Sequence, residues 1–124
     1  MLTRNQQFAL SVYEKVKTVP EKDRNKYGTM AQKLPVLIRT AGLAQAIGFL
    51  EAKSNEKGNE LLLKHLAEVL EFSDLKSFGK KCREAELIEY LRLTQNALAA
   101  LLWFKRYSVS VLGLEPNSEV KNGN

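Results

Sequence analysis

A chain of 124 residues, 44% hydrophobic and 27% charged, has apolar surface for one buried core and too little length for two domains of ordinary size. Its mean hydropathy of -0.28 excludes the disordered and fibrous classes, and a formal charge of +5 favours polyanionic partners such as a phosphate backbone. A lone cysteine, Cys82, forms no internal disulfide, and with a single histidine, His65, it is too little for a zinc site; no metal and no cofactor is expected.

In chain order, Thr3 is placed to cap a first helix running to about Val19, with Ala9, Val12, Tyr13 and Val16 as its buried stripe and Pro20 as its stop. The stretch EKDRNKYG reads as a loop or short helical turn whose Lys22, Arg24 and Lys26 are solvated beside Glu21 and Asp23. A second helix is expected from Thr29. Pro35 lies inside it, predicting a kink near Leu34 or a helix that starts at Pro35.

From Leu34 to Lys53 one apolar pattern occurs twice: Leu34, Leu37, Ile38, Ala41, then Leu43, Ala46, Ile47, Leu50. Each set has the i, i+3, i+4, i+7 spacing of a half-buried helix. Gly42 between them can take a backbone that closes one helix before the next begins. The polar SNEKGNE follows, with Asn59 expected to cap a fourth helix to about Phe72 through Leu63, Leu66, Ala67 and Leu70. SDLKSFGKKCRE reads as a short turn capped by Ser73 or Asp74 and ending at Gly79.

Glu84 to Leu112 is the longest helical stretch, which Thr94 could split by capping a new helix. Its second half is apolar around most of its circumference, with Leu98, Leu101, Leu102, Trp103, Phe104 and Tyr107. A helix apolar all round is central to the core or shared with a partner. No alternating strand pattern or long repeat occurs. The expected fold is all-α, a single-domain bundle of five to six helices over residues 1–112 with a disordered, flexible tail over 113–124.

Chemistry is sparse in this pattern. His65 has no nucleophile at helical spacing, so a surface or boundary residue is expected. Cys82 beside Lys81 and Arg83 has electropositive neighbours but no base. Glu86 and Glu89 share a helix face, which the helix macrodipole explains. The glycines are scattered singly, without a phosphate loop. No apolar run approaches the ~18 residues of a membrane span, and MLTRNQQFAL lacks the features of a secretory signal; the expected location is cytoplasmic. The basic residues remain: Lys33 and Arg39 around Pro35, Lys53, the run Lys80, Lys81 and Arg83, and Lys105 with Arg106. Separate basic clusters on a helical scaffold can follow a phosphate backbone without reading bases.

Two blocks carry a resemblance. YGTMAQKLPVLIRTAGLAQAIGFLEAK (Tyr27 to Lys53) and YLRLTQNALAALLWFKRYSVSVL (Tyr90 to Leu112) resemble the small helical subunit of the Cmr complex, the type III-B CRISPR effector of antiviral defence. The matching positions are Tyr27-Gly28, Lys33-Leu34-Pro35, Arg39, Gly42-Leu43, Phe49-Leu50, Lys53, Leu93-Thr94, Ala97-Leu98 and Trp103 with Lys105-Arg106. The resemblance implies an all-helical protein without enzymatic activity. Several copies of it would stack as an inner filament beside the backbone and large subunits, lining the groove where guide RNA pairs with target RNA. It also implies RNA-backbone contact by Lys33, Arg39, Lys53, Lys105 and Arg106. Lys80, Lys81 and Arg83 lie outside the motifs and rest on charge alone. The alternative is a small helical scaffold that joins partner proteins without touching RNA; an enzyme using Cys82 or His65 is the third.

Overall fold

The computed structural model describes residues 1–116. Among them are six α-helices: α1 (Arg4–Val16), α2 (Arg24–Ala41), α3 (Leu43–Ala52), α4 (Lys57–Val69), α5 (Leu75–Glu84) and α6 (Leu87–Ser110), with a 3-10 turn at Glu21–Asp23 before α2. No strand occurs among the described residues, so the all-α bundle holds. The centre is α2, packed against α3, α4 and α6; α1 lies against α6, and α5 against α3 and α4. One apolar core joins them, with Tyr27, Leu34, Leu50, Leu66, Phe78 and Phe104 fully buried in it.

Thr3 caps α1 as expected, its hydroxyl accepting from Gln6 N–H at 3.1 Å while Gln6 accepts from Thr3 N–H at 2.8 Å. The helix ends at Val16, three residues earlier than expected, because Val19 turns into the core behind it. The start of α2 also moves. It begins at Arg24 rather than Thr29, since Tyr27, Ala31, Leu34 and Ile38 form one buried stripe that draws the charged stretch before it into the helix. Pro35 neither starts nor ends that helix; it is buried within it.

Gly42 joins α2 to α3 with φ of 91° and ψ of 157°, a backbone open in practice only to glycine. The Tyr90 hydroxyl of α6 accepts from Ala44 N–H at 3.0 Å, satisfying a donor that the start of α3 would leave orphaned. Asn59 is not the cap of α4. That place falls to Glu56, and Asn59 sits in the first turn with its Nδ2 reaching back to Lys53 O and Glu56 Oε1, both at 3.4 Å. The helix ends at Val69, short of Phe72, where Glu71 takes a positive φ of 68° and Phe72 N–H bonds to Ala67 O at 2.9 Å.

Between Ser73 and Asp74, Asp74 is the cap of α5, accepting from Ser77 N–H at 2.8 Å. That bond holds its carboxyl below the usual carboxylate range. The helix does not stop at Gly79, because Gly79 is buried where a side chain would strike the Glu51 carboxylate. Thr94 does not split α6 either, since its hydroxyl donates to Tyr90 O at 2.9 Å inside a continuous helix. Past α6 the chain folds back: Leu114 N–H bonds to Ser108 O at 3.0 Å, and Gln32 Nε2 donates to Glu115 O at 3.0 Å. The remainder of the expected tail, 117–124, lies outside the described residues.

Candidate nucleic-acid interface

A groove of about 390 Å³ opens between α2, α3 and the first turn of α4. Lys26, Met30, Lys33 and Leu37 recur at i, i+4, i+7, i+11 along α2 and so share one face, with Thr29 and Val36 beside them. Phe49 and Lys53, one turn apart at the end of α3, make the opposite wall, and Glu56 and Asn59 close the end. The floor is apolar and the rim carries three cations and one carboxylate.

Gly58 sets how near the walls stand. A Cβ there would lie 2.6 Å from Lys26 Cβ and 2.8 Å from Tyr27 N, so only glycine lets the start of α4 seat against the start of α2. That seating brings Lys26 Nζ to 2.7 Å from Glu56 Oε2. The hydrogen bond from Lys26, and then its charge, hold the Glu56 carboxyl below its ordinary range. Lys53 Nζ stands over the Phe49 ring at 5.3 Å. Lys33 has no ion-pair partner among the described residues. Two cations are thus left to face a ligand anion.

Of the five basic residues singled out by sequence, the structure brings Lys33 and Lys53 together at this groove. Arg39 is exposed in the last turn of α2 and does not line it. Lys105 and Arg106 lie on α6 and do not line it either. There Arg106 stacks over Trp103 at 5.0 Å, and Trp103 Nε1 donates to Asn5 Oδ1 of α1 at 3.1 Å. Lys26, read by sequence as solvated loop, is the cation the sequence missed, and its spacing to Met30 and Lys33 was the available signal. The Lys80, Lys81 and Arg83 run is partly compensated by acids: Lys81 pairs with Glu89 at 3.3 Å and Arg83 approaches Glu51 at 3.9 Å.

The candidates for covalent chemistry are buried. His65 lies in the core rather than at the surface, its Nδ1 hydrogen-bonded to the Tyr27 hydroxyl at 2.7 Å, and burial lowers its pKa to about 4. Burial also pushes the Cys82 thiol up to about 12, the reverse of an activated nucleophile. No group of three His, Cys, Asp or Glu side chains able to hold a metal ion occurs among the described residues. No described helix is long and apolar enough to cross a membrane.

A second surface is apolar. Leu87, Ile88 and Leu91 at the start of α6 are 69%, 64% and 48% exposed, next to Glu84, Glu86 and Glu89. The sequence pattern places spare apolar surface on the second half of α6, among Leu98, Leu101, Leu102, Trp103, Phe104 and Tyr107; of these Leu102 is 42% exposed. Phe104 is core, and Tyr107 packs edge-on against Tyr13 of α1 at 5.5 Å.

Comparison with known proteins agrees with this fold. The family model of the CRISPR-associated protein Cas_Cmr5 matches residues 4–111. The chain is similar to the CRISPR system Cmr subunit Cmr5 of Thermus thermophilus, 44% identical over 113 residues that cover 90% of this chain and 98% of the relative. It is also similar to the crystal structure of a CRISPR-associated Cmr5 family protein from the same organism, with a TM-score of 0.81 and 41% identity over 90% of this chain and 99% of the other.

Proposed function

The chain belongs to the Cmr5 family of CRISPR-associated proteins, and from that premise we propose that it is a non-catalytic small subunit of a cytoplasmic Cmr effector. In this reading, copies stack as an inner filament along the paired guide and target RNA. Other subunits of the complex surround them, and cleavage belongs to one of those.

The observation that carries the RNA contact is the convergence of Lys33 and Lys53, neither in an ion pair among the described residues, on one groove from α2 and from the C-cap of α3. Cations held at fixed spacing on a rigid scaffold neutralise phosphates and release counterions, whatever the base sequence. Arg39, Lys105 and Arg106 make flanking backbone contacts on other parts of the surface. Each such contact is shallow, so strength comes from repetition along the filament. The buried state of Cys82 and His65 supports the absence of catalysis by this chain.

The exposed Leu87, Ile88 and Leu91 suit the protein contacts that assembly requires. The experiment is to tag the chain in its native cell, recover it at moderate salt, and identify the proteins and RNA that accompany it. Large CRISPR effector subunits with short guide RNAs are expected. Unrelated proteins without guide RNA would discard the reading in favour of a protein scaffold.

A further inference from the structure

The two unpaired lysines of the groove stand on different helices, Lys33 on α2 and Lys53 at the end of α3, so their separation is set by the angle between those helices. The corner that joins them is Gly42, and α3 starts there without a side-chain cap. Leu43, Ala46, Ile47 and Leu50 hold α3 onto the core, but apolar contact is non-directional and leaves so short a helix, 10 residues, free to tilt. From Ala44 to Lys53 the chain rises about 14 Å, so a tilt of about 10° at the corner moves Lys53 by about 2 Å.

A single hydrogen bond links α3 to another helix among the described residues. It runs from Ala44 N–H to the Tyr90 hydroxyl of α6 at 3.0 Å, and the same hydroxyl stands 3.3 Å from where a Cβ on Gly42 would lie. The other polar link of α3, from Glu51 to Arg83 of α5, is long at 3.9 Å and solvated. Tyr90 is itself anchored, packed against the core with its carbonyl accepting from the Thr94 hydroxyl at 2.9 Å. We propose, resting on the RNA-contact reading of the groove, that Tyr90 is a positioning residue: its hydroxyl fixes the direction of α3 against α2 and so the distance between Lys33 and Lys53. The phosphates of an RNA strand come at a set spacing, and cations held off that spacing neutralise them less well.

The test is Tyr90→Phe, which removes the hydroxyl and keeps the ring. Residual dipolar couplings of the ¹⁵N-labelled full chain read helix directions without reference to RNA. The couplings of α3 should no longer fit the parent's orientation, while those of α2, α4 and α6 still do. Couplings of α3 that fit unchanged would overturn the proposal. The second reading is target-RNA binding by guide-loaded complex carrying Tyr90→Phe, the Lys33→Ala, Lys53→Ala variant, or all three changes. Tyr90→Phe alone should weaken binding about threefold or more and add nothing once both lysines are gone. A loss that persists without the lysines would overturn the proposal by showing that Tyr90 acts through the fold at large. So would unchanged affinity in Tyr90→Phe where the lysine variant binds more weakly. If the lysine variant binds as the parent does, the phosphate reading of the groove fails and the role of Tyr90 toward RNA falls with it, whereas the couplings report separately whether Tyr90 orients α3.

Discussion

The Tyr27 hydroxyl and His65 Nδ1 meet at 2.7 Å in the core, joining α2 to α4. Burial pushes the Tyr27 pKa up and the His65 pKa down to about 4, so both residues stay uncharged.

The pH dependence follows from that histidine. Its folded pKa is below its ordinary value of 6.5, so the unfolded chain takes the proton first as pH falls. Stability is full above pH ~6.5 and decreases between that value and about 4, by about 3 kcal/mol in total. Urea unfolding of the parent and of His65→Gln across this window should show the loss in the parent and a flatter curve in the variant. Parallel curves would remove the linkage.

Glu71 holds a positive φ where α4 ends. Such a backbone costs a residue with a side chain about 1 kcal/mol relative to glycine. Glu71→Gly should therefore raise the unfolding free energy by about that amount. Gly42→Ala is the opposite case. Its φ of 91° strains any Cβ, which would also stand 3.3 Å from the Tyr90 hydroxyl, so a loss of about 1–3 kcal/mol is expected.

Cys82 is 2% exposed with its pKa pushed up to about 12. A thiol-specific reagent at neutral pH should modify the native chain at least about 100-fold more slowly than the unfolded chain, since the thiolate is the reacting form. Rapid modification of native protein would show that α5 opens readily.

The Leu87, Ile88 and Leu91 ridge separates assembly from folding. Replacing Leu87 and Ile88 with serine should alter the stability of the isolated chain by no more than about 0.5 kcal/mol, because neither side chain is buried. Incorporation into the effector, measured by subunit stoichiometry after purification, should fall. Normal stoichiometry would place the partner contacts elsewhere.

The helices were legible wherever apolar spacing was regular, as in the paired stripes around Gly42. Boundaries failed where one residue type had two readings. The charged stretch before Tyr27 looked like loop because its cations are solvated, yet Tyr27 is core and draws them into helix. Gly79 looked like a terminator and is instead a close-approach position beside Glu51. Lys33 and Lys53 were legible as basic motif positions, and Lys26 shares the face of Lys33 by spacing alone, but the approach of Lys53 to that face depends on how α3 packs against α2, a tertiary fact that no local pattern carries. The same holds for Arg39, Lys105 and Arg106, whose absence from the groove follows from packing alone.

The central claim is that the groove lysines neutralise RNA phosphates in the assembled effector. Its most direct test is the salt dependence of target-RNA binding by guide-loaded complex containing the parent chain or the Lys33→Ala, Lys53→Ala double variant, with stoichiometry checked in both. The account predicts weaker binding for every target sequence and a slope of log K against log salt reduced by about 2 for each copy of the chain in contact with the RNA. A double variant that assembles normally and binds with the parent's affinity and slope would contradict it.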